Sequence, residues 1–238
     1  MTERRQTKSQ NLDLALIGNS CSAALVDRNA RIVWWCFPYF DSDPVFSRLL
    51  ADDEEKGFCE IALADLAETE SRYVRNTAIV ETILTDANGA KVRVSDFAPN
   101  FERFERVYRP PQIIRRIEPI AGLPRITIRV RPTHGYGKPT TNFVVGSNHV
   151  RYLDGEQVLR LTSDAPLSYI INEVPFPLNR PVNLIFGQDD PFLSAIDTTS
   201  REFLDRPDFI CRPTYCDRDR VGGGGRRQHD LNALAAWQ

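Results

Sequence analysis

No apolar run in the chain approaches the ~18 residues that a membrane-spanning helix needs. Behind Met1-Thr2-Glu3-Arg4-Arg5 there is also no apolar stretch of the kind a secretory leader carries. Neither sign of charge is in excess: 30 lysines and arginines against 32 aspartates and glutamates leave a formal charge of -2. That balance argues against nucleic acid or an anionic membrane as the main partner, because both recruit proteins through surplus cationic side chains. Histidine is scarce, and His134, His149 and His229 stand too far apart for metal-ligand spacing and pair with no cysteines in a zinc pattern. The five cysteines, Cys21, Cys36, Cys59, Cys211 and Cys216, are odd in number and irregularly spaced, which points to a reducing, cytoplasmic compartment. Cys211 and Cys216 alone cannot close a tetrahedral zinc site, and Gly222 to Gly225 lacks the Lys-Ser or Lys-Thr of a phosphate loop. No cofactor or metal is expected.

Long amphipathic helices are missing too. With 238 residues, 42% of them hydrophobic, the chain can bury the core of one large β domain or two small ones. Residues 12–17, 23–26 and 32–36 read as strands, the last two joined by the polar turn Asp27-Arg28-Asn29-Ala30-Arg31. Residues 45–51 carry apolar side chains at Val45, Phe46, Leu49 and Leu50, a helical spacing behind Asp43-Pro44 that predicts a short helix. Residues 79–84 and 92–97 flank Asp86-Ala87-Asn88-Gly89, whose Asn-Gly supplies the positive φ of a tight hairpin. Residues 125–131 alternate strictly, placing Ile126, Ile128 and Val130 on an inward face and Arg125, Arg129 and Arg131 on an outward one. Strands over 112–120, 143–146, 149–153, 157–162, 167–174 and 182–186 complete the series. Many short strands without βα alternation predict an all-β, antiparallel double-sheet sandwich over residues 12–196. Residues 1–11 are polar and aperiodic and are expected as a disordered lead.

The stretch from Gly18 to Leu50 organises the rest. Phe37 to Pro44 packs three aromatics, two carboxylates and two prolines into eight residues, a rigid loop too apolar to be left wholly in water. Together with Leu16-Ile17-Gly18, Cys36-Phe37-Pro38, Phe40-Asp41-Ser42, Pro44-Val45-Phe46 and Leu49-Leu50, it resembles the start of bacterial glycoside hydrolase family 15 proteins, the glucoamylase and trehalase-like enzymes. Further stretches agree in order: Arg72 to Thr82, Val94-Ser95-Asp96-Phe97-Ala98-Pro99, Arg109-Pro110-Pro111, Arg115-Arg116-Ile117-Glu118-Pro119, Gly146 to Tyr152, Thr162 to Pro166 and Arg201 to Arg206. The resemblance spans roughly residues 12 to 206 and concerns the family's N-terminal domain. It implies a large supersandwich-like domain placed before an all-helical barrel, with a linker helix beginning at residues 197–206.

Glycoside hydrolysis ordinarily takes two carboxyl groups, roughly 5 to 9.5 Å apart, one to protonate the leaving oxygen and one to attack or activate water. Asp41 and Asp43 are the best-placed pair by sequence, and the competing, favoured reading has Asp41 and Ser42 capping the following turn. By the resemblance, the catalytic glutamates belong to the helical barrel, which this chain does not reach, so no catalytic residue is expected here and the chain is expected to be inactive alone. Trp35, Phe37, Tyr39, Phe40, Asp41 and Asp43 are instead the candidates for a loop that faces the barrel or lines its substrate mouth, with α-glucosides or trehalose as the sugars concerned. A loop built to meet a barrel should leave some of Trp34, Trp35, Phe37, Tyr39 and Phe40 exposed; burial of all of them would indicate an autonomous domain. His134-Gly135-Tyr136-Gly137 either stacks on a sugar or turns the chain, and turning the chain is preferred. Arg115-Arg116 and Arg129-Val130-Arg131 are expected to be solvated.

Two rivals stand beside the non-catalytic domain: an autonomous carbohydrate-binding sandwich, and a small hydrolase that works through Asp41 or Asp43. After Arg206 the resemblance stops, and residues 207–238 are expected as an irregular tail, with Pro207 breaking the helix just begun. A lost reading frame near Arg206 would account for the break. Leu231 to Ala236, read one base earlier with suitable codons, can spell Pro-Glu-x-Pro-Gly-Ser, which resembles a segment early in the family's barrel.

Overall fold

A computed structural model describes residues 13–50, 55–103, 106–191 and 195–204. The expected lead at 1–11, the tail from Pro207 with Cys211, Cys216, Gly222 to Gly225 and His229, and the frame change near Arg206 lie outside the described residues.

Two antiparallel sheets make the sandwich. The first runs in the order Ala15–Gly18, Ala23–Val26, Ile32–Cys36, Phe58–Leu63, Arg125–Arg131, Phe176–Pro177, with Pro44–Ser47 also paired to Ile32–Cys36. The second runs Phe143–Val145, His149–Tyr152, Leu159–Ser163, Val182–Gly187, Ile113–Ala121, Lys91–Phe97, Val80–Asp86, Leu66–Tyr73. Two small hairpins stand apart, Phe101–Arg103 with Arg106–Tyr108 and Thr133–His134 with Lys138–Pro139. The turns follow their side chains. Asp27 accepts hydrogen bonds from the amides of Asn29 and Arg31 at 2.9 and 2.8 Å. Asp86 does the same for Asn88 and Ala90 at 2.8 Å each, and Gly89 supplies the positive φ of +84°.

The alternating strand behaves as its pattern predicts: Ile126 and Ile128 are buried and Val130 packs against the core, while Arg125 is exposed. Arg129 and Arg131 lie on the outward face but are half-buried in ion pairs rather than freely solvated. Arg129 meets Glu60 at 3.4 Å, and Arg131 holds Glu173 through two bonds of 2.7 Å.

Residues 45–51 do not form the expected helix. Pro44–Ser47 is a strand, with Phe46 opposite Trp35, and only Arg48–Leu50 turns as a 3-10 helix. The apolar run was too short for its period to separate helix from strand, and burying Phe46 beside Trp35 outweighs the helical spacing, leaving Leu50 at the surface. The strand expected over 167–174 is also replaced, by the helix α1 (Leu167–Ile171), which buries Leu167 and Ile170. It closes when Glu173 takes a left-handed φ of +51° and the Val174 amide reaches back to the Tyr169 carbonyl at 2.9 Å.

Arg115 and Arg116 overturn the expectation of solvation. Consecutive strand residues face opposite sides, and the strand that carries them is covered on both. Arg115 is wholly buried between the sheets. Its guanidinium meets the Asp96 carboxylate at 2.7 and 3.0 Å, the Cys59 carbonyl at 2.8 Å, and the carbonyl of Ala30 in the opening hairpin, so one side chain bolts the second sheet to the first. Arg116 points the other way, to Asp197 at 2.6 Å, Glu118 at 3.0 Å and Asn183 at 3.1 Å. Asp197 belongs to the helix α2 (Ile196–Leu204), whose Ile196 and Leu204 join Ile79, Phe97, Ile114 and Ile185 in a second, smaller core on the outer face of the second sheet.

Candidate functional site

Two aromatic rings root the loop between Ile32–Cys36 and Pro44–Ser47 in the main core. Trp35 is fully buried and its indole donates to Ser22 Oγ at 2.7 Å. Ring centroids lie 5.2 Å from Trp35 to Phe37, 6.0 Å to Phe46 and 6.3 Å to Phe186, the last contributed by the opposite sheet. Trp34 is half-buried on the other side of its strand. Beyond the cis Phe37-Pro38 peptide the loop emerges, and Tyr39 and Phe40 are 63% and 56% exposed. The expected aromatic set therefore divides into buried anchors, Trp35 and Phe37, and presented rings, Tyr39 and Phe40.

The loop is closed by its own bonds: the Ser42 amide donates to the Tyr39 carbonyl and the Tyr39 amide to Ser42 Oγ, both at 3.2 Å. Asp41 is exposed at its tip. Asp43 does something sequence proximity could not reveal. Its carboxylate accepts the Tyr136 amide at 2.9 Å and the Gly135 amide, from a turn more than ninety residues away. That turn is His134-Gly135-Tyr136-Gly137, closed by the Gly137 amide on the His134 carbonyl at 3.2 Å. Both central residues have positive φ, +50° for Gly135 and +57° for Tyr136, as a type I′ turn requires. Thr133 and Ser47 hydroxyls, 2.8 Å apart, tie the base of the hairpin to the strand that follows the loop. Tyr136 is 68% exposed.

Tyr39, Phe40 and Tyr136 are thus exposed on two turns that Asp43 joins. Both Asp43 oxygens are engaged by backbone amides, so Asp43 shares the structural role with Ser42, whose hydroxyl accepts the Tyr39 amide, while Asp41 is exposed. Burial, reinforced by the Asp43 and Asp41 carboxylates, pushes the Cys36 thiol up and makes it a poor nucleophile. Cys21, Cys36 and Cys59 are free thiols. Among the described residues no three His, Cys, Asp or Glu side chains gather as a metal site, and no helix is long and apolar enough to cross a membrane. His149 pairs with Asn148 at 3.2 Å, and burial beside Arg160 and Arg151 pushes its imidazole down. Beside the hairpin base a cleft of about 260 Å³ is walled by Val130, Phe143, Val150, Tyr152, Ile170 and Ile171, and of the charges that also line it, Glu55, Lys56, Arg131 and Glu173, Arg131 is paired with both glutamates.

The fold and the loop define an all-β sandwich module that displays a rigid aromatic surface. A sequence family described as trehalase-like, N-terminal, matches residues 6–173, a span that holds both the loop and the Tyr136 turn. The chain belongs to this trehalase-like N-terminal domain family. It is similar to a trehalase of Thermoplasma volcanium, 28% identical over 153 residues, which are 63% of this chain and 24% of that protein. Trehalase 1 of Sulfolobus acidocaldarius is 30% identical over 159 residues, 66% of this chain and 26% of that protein. A trehalase of Thermoplasma acidophilum is 31% identical over 114 residues, 47% of this chain and 19% of that protein. The chain thus spans about a quarter or less of the length of these curated relatives. No solved structure matches it significantly.

Proposed function

We propose that these residues form the non-catalytic N-terminal domain of a glycoside hydrolase family 15, glucoamylase or trehalase-like protein of cytoplasmic carbohydrate metabolism. In this reading the domain packs against a helical-barrel catalytic domain and borders its active-site mouth with the Phe37 to Pro44 loop. The supporting observation is the division within that loop: Trp35 and Phe37 are locked in the core while Tyr39 and Phe40 are held out in water by a closed turn. Exposed rings on a rigid mount lose little conformational freedom when a partner covers them. The binding of Asp43, one of the loop's two candidate carboxylates, to two backbone amides supports a positioning role for it over an acid–base one.

The test has two arms. The purified chain should release no glucose from trehalose or maltose, and hydrolysis by it would overturn the non-catalytic reading. Fused through α2 to the helical portion of a trehalase-like relative, the domain should raise turnover above that of the helical portion alone, and Tyr39→Ala with Phe40→Ala should lower it again. A fusion indifferent to the domain would sink the packing role. The rival reading, an autonomous carbohydrate-binding module, draws on the same exposed rings and requires sub-millimolar affinity of the chain alone for maltose or trehalose.

A further inference from the structure

We propose that Tyr136 is a second aromatic contact for a neutral α-glucoside, held by Asp43 on the same surface as Tyr39 and Phe40. This inference rests on reading the Phe37 to Pro44 loop as the border of a sugar-admitting mouth, and it adds a residue from a different part of the chain.

The argument starts from the backbone. A φ of +57° suits glycine or asparagine, and a bulky side chain adopts it only when the surroundings enforce it. The enforcement here is specific. Asp43 takes the amides of Gly135 and Tyr136 together, and the Thr133 to Ser47 hydroxyl contact fixes the base of the same hairpin. Glycine at position 136 would keep every one of these bonds without the strain, so turning the chain does not explain a tyrosine. Core packing does not explain it either, since the residue is 68% exposed and its hydroxyl makes no hydrogen bond among the described residues. What remains is presentation. Gly135 and Gly137 flank the ring and carry no side chains to shield its faces.

The ligand class follows from the surface. A pyranose offers a face of C–H groups that covers an aromatic ring, and a ring of hydroxyls that a phenol and a carboxylate can bind. Tyr136 and Tyr39 supply the phenols, and Asp41, exposed at the loop tip, supplies the carboxylate. A neutral sugar needs no cationic partner. Because the catalytic domain would close the other side of the mouth, the chain alone should hold the sugar weakly, with half-saturation on the order of tens of millimolar.

The experiment titrates the chain with trehalose and with maltose, using sorbitol as the control polyol, and follows amide and aromatic resonances by NMR. Saturable shifts are expected at Tyr136, Gly135 and Gly137 together with Tyr39 and Phe40, and none with sorbitol. Tyr136→Gly, which keeps the turn and removes the ring, should weaken the response at Tyr39 and Phe40 several-fold; an unchanged melting temperature confirms that the variant is folded. If Tyr39 and Phe40 respond equally in wild type and Tyr136→Gly, the role of Tyr136 is refuted and the loop reading survives. If no sugar-specific shift occurs anywhere, the sugar contact is refuted, and the packing role is judged separately by the fusion assay.

Discussion

Removing the Asp96 carboxylate should be among the most damaging single changes to this domain. Arg115 and Asp96 are both fully buried, and their two bonds of 2.7 and 3.0 Å neutralise the guanidinium between the sheets. Asp96→Ala leaves the cation facing only the carbonyls of Cys59 and Ala30 and the Cys59 thiol. Breaking a buried pair on one side costs about 3–5 kcal/mol. With a denaturant slope of about 3 kcal/mol/M in urea, the midpoint should fall by about 1–2 M, read from the fluorescence of buried Trp35. Arg115→Met with Asp96→Leu removes the stranded charge and should be more stable than Asp96→Ala alone. It should still fall short of wild type, since the two carbonyls lose their donor at about 1–3 kcal/mol for each unsatisfied group. Arg115→Lys should also destabilise, because one ammonium cannot reach a carboxylate and two carbonyls in a fixed fork. If Asp96→Ala stays within about 0.5 kcal/mol of wild type, or the two positions prove additive, the claim that this pair bolts the sheets together is wrong.

Other outcomes follow from the same contacts. The Arg131 bonds hold the Glu173 carboxyl below its ordinary value of 4.5, and Arg116 holds Asp197 below 3.8. Both lowered groups add stability above those ordinary values and lose it as pH falls through the depressed ones; urea midpoints between pH 6 and 3 should therefore decline, less steeply in Glu173→Gln. Glu173 also sits at φ +51°, so Glu173→Gly should be more stable than Glu173→Ala by about 1 kcal/mol, and equal losses would show the backbone to be unstrained. Asp43→Ala should speed hydrogen exchange at the Gly135 and Tyr136 amides about tenfold or more while changing global stability by only about 1 kcal/mol; unchanged exchange would mean that the carboxylate does not hold the turn. Trp35→Ala should cost about 3–5 kcal/mol by chemical denaturation, whereas Tyr39→Ala and Phe40→Ala should stay within about 0.5 kcal/mol. A large loss at Tyr39 or Phe40 would remove the distinction between anchor and presented ring.

Local pattern was enough to read much of this protein. The alternation from Arg125 to Arg131 fixed a face, Asn88-Gly89 fixed a hairpin, and the run of short strands without intervening helices implied an antiparallel sandwich, because each of these depends only on neighbours in the chain. The ordered motifs around Phe37 to Pro44 carried the family. Tertiary structure decided the rest. Phe46 became a strand residue because the space beside Trp35 is worth more than the spacing of a short apolar run. Residues 167–171 became a helix because Leu167 and Ile170 share a buried side. The burial of Arg115 had a signal in the sequence, since two adjacent arginines in a strand must face opposite sides and Ile113, Ile114 and Ile117 already imply cover on both, but its partners at Asp96, Cys59 and Ala30 could not be read from spacing. The bond from Asp43 to Tyr136 was beyond reach altogether. It joins two turns more than ninety residues apart, and only the packing of Thr133–His134 against Pro44–Ser47, tied by the Thr133 and Ser47 hydroxyls, brings a carboxylate within 2.9 Å of an amide.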